Sequence, residues 1–382
     1  MSRPRLALLE PDTWPDDMKA LAEGPLGALN VMKVLMHHPD LFRRWSVFAN
    51  HFLFKGALPA RAREILILRV AWQTACEYEW SQHVVMSAKE CEFAEAEFAA
   101  IQAGPTAPLW NPAERALLRV ADTLIAGPNV GDRDWDKLRD HWDAPQAIET
   151  LALVGNYVML AMALNALAVP PDPGYPGFGA NPPPTPTPNV TQSSPLAPRP
   201  PPRIEPLSNA EADRQTREIL AKARGQFPTV NIIDTLAHHP NLLRRWLPFF
   251  NHCLHKQTLD PRQRELVILR TGWLAGSAYE WAQHVPIALT RGVTPDEVEA
   301  IQPGSADDRW RGADKAILES VEALMARFTL TDTEWRRIAT QVTPPKAIDL
   351  MFIVGQYRLV AGLLKGLNVQ FDAYLRFPPL LP

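Results

Sequence analysis

Apolar and polar residues follow one another along this chain with helical spacing, in segments punctuated by proline and glycine. Arg61–Gln73 is apolar on nearly every side, through Ile65, Leu66, Ile67, Leu68, Val70, Ala71 and Trp72. A short all-apolar run also suits a buried strand, but its length and its Glu, Arg and Leu content favour a helix. Leu58-Pro59 opens it, proline being tolerated in a first turn. The same reading predicts helices over Cys76–Glu90, Asn111–Leu124 (amphipathic) and Gln146–Leu167. No succession of alternating strands with turn signals occurs, so the pattern predicts an all-α protein. Leu151–Val169 is apolar enough for a membrane span, yet its counterpart in the second half carries Arg358 and Lys365. A buried core helix is the expectation, and no membrane.

The pattern also repeats. HHPDLFRRW (His37–Trp45) returns as HHPNLLRRW (His238–Trp246), RAREILILR (Arg61–Arg69) as RQRELVILR (Arg262–Arg270), and YEWSQHV (Tyr78–Val84) as YEWAQHV (Tyr279–Val285). The offset is constant through all three; one residue is lost near Gln102/Gln302, and AIETLALVGNY (Ala147–Tyr157) then matches AIDLMFIVGQY (Ala347–Tyr357). This is a domain-sized duplication rather than a short solenoid repeat. Between the copies, 170–203 is proline-rich; proline fixes φ and lacks a donor, which predicts a semi-extended tether. The expected division is therefore 1–169, a linker 170–203, and 204–382.

Composition narrows the function. A net charge of -3 with no long basic run gives no case for nucleic acid. Cys76, Cys91 and Cys253 are odd in number and not in CxxC spacing, which suits a reducing cytoplasm rather than a disulfide framework. The N-terminal stretch has no apolar core of secretory length.

The chemistry concentrates in the repeated motif. On a helix, Glu79, Gln82 and His83 share one face, as do Glu280, Gln283 and His284. Upstream, Glu64 and Glu265 lie in apolar helices, where a carboxylate needs a partner or a function; His83 is the candidate partner of Glu64. Two carboxylates and an imidazole can move protons near neutral pH. Burial and the helix dipole pull Glu79 in opposite directions, leaving its pKa open. Structural alternatives stand beside each residue. Ser277 with Glu280 and Thr74 with Glu77 have capping-box spacing, and Glu64 could pair with Arg61 at the surface. Trp80 and Trp281 are core or pocket wall. His37 and His38 suit a helix C-terminus better than a ligand role.

These residues resemble the carboxymuconolactone decarboxylase family, related to alkyl hydroperoxidase D (AhpD): Leu-Pro-x-Arg-x-Arg-Glu-Ile-x-Ile-Leu-Arg followed by Tyr-Glu-Trp-x-Gln-His. The resemblance implies two tandem AhpD-like helical domains related by pseudo-two-fold duplication. It also implies work without a cofactor or metal, and a homo-oligomer, with three two-domain chains rebuilding a hexamer-like ring. The hydroperoxidase branch uses a glutamate, Cys-x-x-Cys and a histidine. Laid on this chain these fall on Glu64, Cys76, Glu79 and His83, and on Glu265, Ser277, Glu280 and His284. The second cysteine is thus glutamate in both copies, leaving Cys76 as the sole redox candidate; thiol–disulfide chemistry needs a pair. The decarboxylase branch implies a small carboxylated lactone as substrate. Glu79/His83 and Glu280/His284 are then the acid–base pairs, Glu64 and Glu265 orient the imidazoles, and Trp80 and Trp281 line the substrate. An arginine anchors the carboxylate: Arg69 and Arg270 first, with Arg43, Arg44, Arg244 and Arg245 as further candidates. A metal held by two Glu and one His, residual redox work through Cys76, and a non-enzymatic assembly protein are the competing readings.

Overall fold

The computed structural model describes residues 3–24, 28–179, 182–184, 200–225 and 230–375. The first copy runs through α1 (Asp16–Lys19), α2 (Asn30–Leu35), α3 (Pro39–Phe54), α4 (Ala60–Gln73), α5 (Glu77–Cys91), α6 (Glu95–Ala103), α7 (Pro112–Ala126), α8 (Asp132–Arg139) and α9 (Ala144–Ala166). The second runs through α10 (Arg214–Arg224), α11 (Asn231–Leu236), α12 (Pro240–Asn251), α13 (Pro261–Leu274), α14 (Ala278–Thr290), α15 (Pro295–Ala300), α16 (Gly312–Arg327), α17 (Asp332–Ala339) and α18 (Pro344–Gly366). No strand occurs among the described residues.

Local chemistry sets the helix ends. Asn111 and Asp143 cap α7 and α9 in reciprocal boxes with Glu114 and Gln146, each with proline in the first turn. His38 and His239 start α3 and α12 by accepting a hydrogen bond from Leu41 N and Leu242 N, again just before proline. Both histidines therefore serve a helix N-terminus, not the C-terminal dipole role expected of His38. His37 turns outward to the carbonyl of Ala7.

One hydrophobic core passes through both copies, with a smaller apolar cluster in each. Its centre is the pair α9 and α18. They meet closely because each carries a glycine at the crossing: a Cβ on Gly355 would lie 2.7 Å from Met159 Cα, and one on Gly155 3.1 Å from Leu359 Cα. These are the two helices long and apolar enough to cross a membrane, and their most apolar windows are wholly buried. Helices α3 and α12 form the second contact between copies, with Phe48 stacked on Phe249.

Parts of the proline-rich stretch belong to the first copy. Asp172 accepts hydrogen bonds from Asn30 N, Tyr78 and Gln82, and Phe178 packs on Trp72 and Trp80. The corresponding residue after α18, Asp372, is held by Asn231 N, Tyr279 and Gln283. Of the expected tether, 180–181 and 185–199 lie outside the described residues.

Candidate active site

Helix α4 carries Arg63 and Glu64 into the interior, and α5 lays Glu79 and His83 against them. The link between the helices turns through Ala75 at φ +52°, a left-handed conformation that Gly276, at φ +61°, adopts in the second copy without a Cβ. Glu64 Oε2 lies 2.8 Å from His83 Nδ1, and Glu64 Oε1 accepts from Arg63 Nε at 2.8 Å. His83 Nε2 is 3.6 Å from Glu79 Oε2, one turn back on α5. Tyr157 of α9 stands edge-on to the imidazole at 5.3 Å. The second copy repeats the geometry. Glu265 Oε2 is 2.9 Å from His284 Nδ1, Arg264 Nη2 is 2.7 Å from Glu265 Oε1, and Tyr357 is edge-on to His284 at 5.0 Å. There a cavity of about 330 Å³ opens beside Glu265, Glu280, His284, Arg264 and Tyr357.

All three acid–base groups of the first copy are buried, Glu64 at 0%, Glu79 at 4% and His83 at 4% exposure. Burial raises the Glu79 carboxyl to about 7, reinforced by Glu64 and only partly opposed by His83. Its place in the first turn of α5 does not reverse that: desolvation outweighs the dipole. Burial opposes charge on His83 as well, but the adjoining Glu64 carboxylate wins and the imidazole pKa is raised. Burial likewise opposes the Glu64 carboxylate, and His83 and Arg63 together hold it below its ordinary value. The site thus sets an ionised Glu64 and a readily charged His83 beside a glutamic acid that titrates near neutrality.

Other expectations are redirected. Arg69 does not reach this site. It is buried, grips Asp122 with two nitrogens at 2.6 and 2.9 Å, and donates to the carbonyls of Ile101 and Gln102. Arg270 does the same with Glu322, Ile301 and Gln302. Both tie the helix carrying the glutamate to the rest of its copy, so neither is the substrate anchor. Trp80 and Trp281 pack on Trp72 and Trp273 in the small clusters, as core rather than pocket wall. Gln82 shares the Glu79 face by spacing but serves Asp172. Neither capping box forms: Ser277 makes no side-chain cap, and the Thr74 hydroxyl donates to Val70 O. Arg61 pairs with Glu114, not Glu64. Cys76 is fully buried, and burial followed by the nearby Glu79 pushes its thiol well above the ordinary range. Arg43 pairs with Asp17 and Asp40, while Arg44 and Arg244 line a different, surface cleft.

Sequence reasoning missed Arg63 and Arg264, which brace the glutamates, and Tyr157 and Tyr357, which wall the imidazoles. Both pairs recur in register, as Arg-Glu in each apolar helix and as Gly-x-Tyr in the middle of each long core helix.

Two further buried groups have metal-ligand composition: His38, His252 and Asp349, and His51, His239 and Glu149. Their hydrogen bonds argue for another role. The Nδ1 atoms of His38 and His239 face the backbone N–H of Leu41 and Leu242. The proton therefore sits on Nε2, which donates to the carboxylate and offers no lone pair to an ion.

Fold and site together define an all-helical protein with a buried cluster of two glutamates and a histidine in each copy. The profile of the carboxymuconolactone decarboxylase family matches residues 39–123 and again 240–318, spanning the site helices of both copies. The chain is thus similar to this family twice over, with the matched unit present in tandem. No curated protein matches it. Among solved structures, an alkylhydroperoxidase AhpD core, an uncharacterized peroxidase-related protein from Ralstonia eutropha JMP134, is 19% identical. The match covers 45% of this chain and 94% of that one, with a TM-score of 0.41.

Proposed function

We propose that the protein is an acid–base lyase or isomerase acting on a small carboxylated, lactone-like molecule. The observation that carries this reading is the buried Glu79, its carboxyl raised to about 7, beside a His83 braced by Glu64. A group that holds its proton near neutrality and gives it up readily is what general acid catalysis requires. In decarboxylation the substrate carboxylate leaves as carbon dioxide. The electron pair of the broken carbon–carbon bond passes into the conjugated lactone as a dienolate. The glutamic acid delivers a proton to a remote carbon and recovers one from solvent. The histidine, its Nδ1–H directed at Glu64, keeps Nε2 on the Glu79 side, where an imidazolium stabilises the dienolate charge.

The redox alternative lacks support from the geometry. The position of a resolving cysteine is glutamate in both copies, and the Cys76 thiol is buried and held protonated. Assaying carboxymuconolactone consumption with wild type and with a Glu79→Gln, Glu280→Gln double variant tests the reading. Turnover lost in a folded variant supports it, and equal turnover sinks it.

A further inference from the structure

The two copies agree at the centre of the site and differ at its mouth. In the second copy the cavity is bordered by Arg264, Arg291 and His255. The two arginines act on the histidine: burial, then Arg264 and Arg291, hold the His255 imidazole below its ordinary pKa, so it faces the cavity as a neutral group. Among the described residues Arg291 makes no ion pair, and Arg264 pairs only with Glu265 in its own helix. The constant register places Glu90 where Arg291 stands and Phe54 where His255 stands. Glu90 closes on Arg63 at 2.6 Å, so in the first copy the arginine beside the site glutamate is already matched by an acid.

Glu265 in the cavity wall is matched by Arg264, which leaves Arg291 as an added positive charge without an ion-pair partner among the described residues; such a charge favours an anionic ligand, and reversing it at that position opposes one. We propose that Arg291, with Arg264 and a neutral His255, makes the second copy's pocket the tighter site for a small organic carboxylate, and that Glu90 and Phe54 weaken binding of that anion in the first copy. The two units have thereby diverged in affinity for an anion while keeping one acid–base centre. The inference rests on the reading above in treating the cavity beside Glu280 and His284 as the substrate pocket.

The test uses the full chain and two probes of similar shape, benzoate and the uncharged benzamide, in equilibrium dialysis. The expected result is one tight benzoate site per chain, at least about tenfold tighter than any second site and than benzamide. Arg291→Glu, an exposed change checked by circular dichroism, should weaken benzoate at least about tenfold and leave benzamide unchanged. Arg291→Gln should fall between. Two equal benzoate sites, no preference over benzamide, or an unaffected Arg291→Glu variant would overturn the proposal. Binding needs no turnover, so the two readings fail separately. Selective anion binding by a protein that decarboxylates nothing removes only the acid–base reading; turnover without charge selectivity removes only this one.

Discussion

His239 of the second copy donates from Nε2 to Glu149 of the first, at 2.7 Å, and His38 of the first donates to Asp349 of the second at 2.9 Å. Each carboxylate also accepts from a histidine of its own copy, His51 and His252, and from backbone N–H groups: Ala57 and Leu58 at Glu149, Thr258 at Asp349. The repeated His-His-Pro motif thus stitches the duplication together. The same histidines begin α3 and α12.

Removing either carboxylate should be costly. Burial opposes the charge, but the converging donors outweigh it and hold Glu149 and Asp349 at about 2. Glu149→Gln or Asp349→Asn leaves buried donors without their acceptor charge and should cost about 3–5 kcal/mol in urea unfolding. The sign with pH follows. The folded pKa values lie below the ordinary 4.5 and 3.8, so this stabilisation is complete above about pH 4.5 and is lost as pH falls towards 2. The two variants should lack that acid limb.

Glu79 has the opposite sign. Its folded pKa is raised, so the folded state holds the proton more tightly and stability declines as pH rises from about 4.5 through 7. Glu79→Gln should therefore gain stability relative to wild type at pH 8, by at most about 3 kcal/mol, and little at pH 4.5. Thermal melts at the two pH values check this. Turnover that depends on the protonated acid should fall in wild type as pH rises above 7.

Arg69 gives a prediction that separates bracing from binding. Arg69→Gln breaks a buried pair with Asp122 and should cost about 2–4 kcal/mol in denaturant unfolding. At a temperature where the variant stays folded, its KM should match wild type, because the guanidinium is taken up by Asp122 and the Ile101 and Gln102 carbonyls, away from Glu79 and His83.

The α9–α18 crossing depends on hydrogen at two Cα positions. Gly355→Ala would push a methyl to within 2.7 Å of the Met159 backbone and should destabilise by about 1–3 kcal/mol or more, read as a lowered melting temperature.

Much of this was legible in the sequence. The predicted Arg61–Gln73 and Cys76–Glu90 helices fall within a residue of α4 and α5, because apolar runs, proline openings and caps act locally. The Glu64–His83 pairing was legible because a glutamate inside an apolar helix demands a partner, and the repeat supplied one at fixed spacing. Arg63 and Arg69 were not distinguishable. Both lie in the same buried helix, and what separates them is tertiary: Glu64 and Glu90 meet one, while Asp122 and the turn at Gly104 meet the other. Tyr157 was hidden within a run that reads as plain core. Asp172 was hidden because its prolines predict a tether and its partners, Tyr78 and Gln82, come from far along the chain.

The central claim is that Glu79 and Glu280 deliver a proton to carbon. Proton NMR in deuterium oxide, with carboxymuconolactone as substrate, tests it most directly. Wild type should consume the lactone and place one deuterium at a single carbon of the product, while the folded Glu79→Gln, Glu280→Gln variant does neither. Folded wild type that leaves the lactone untouched, or a double variant that labels the product as wild type does, would contradict the account.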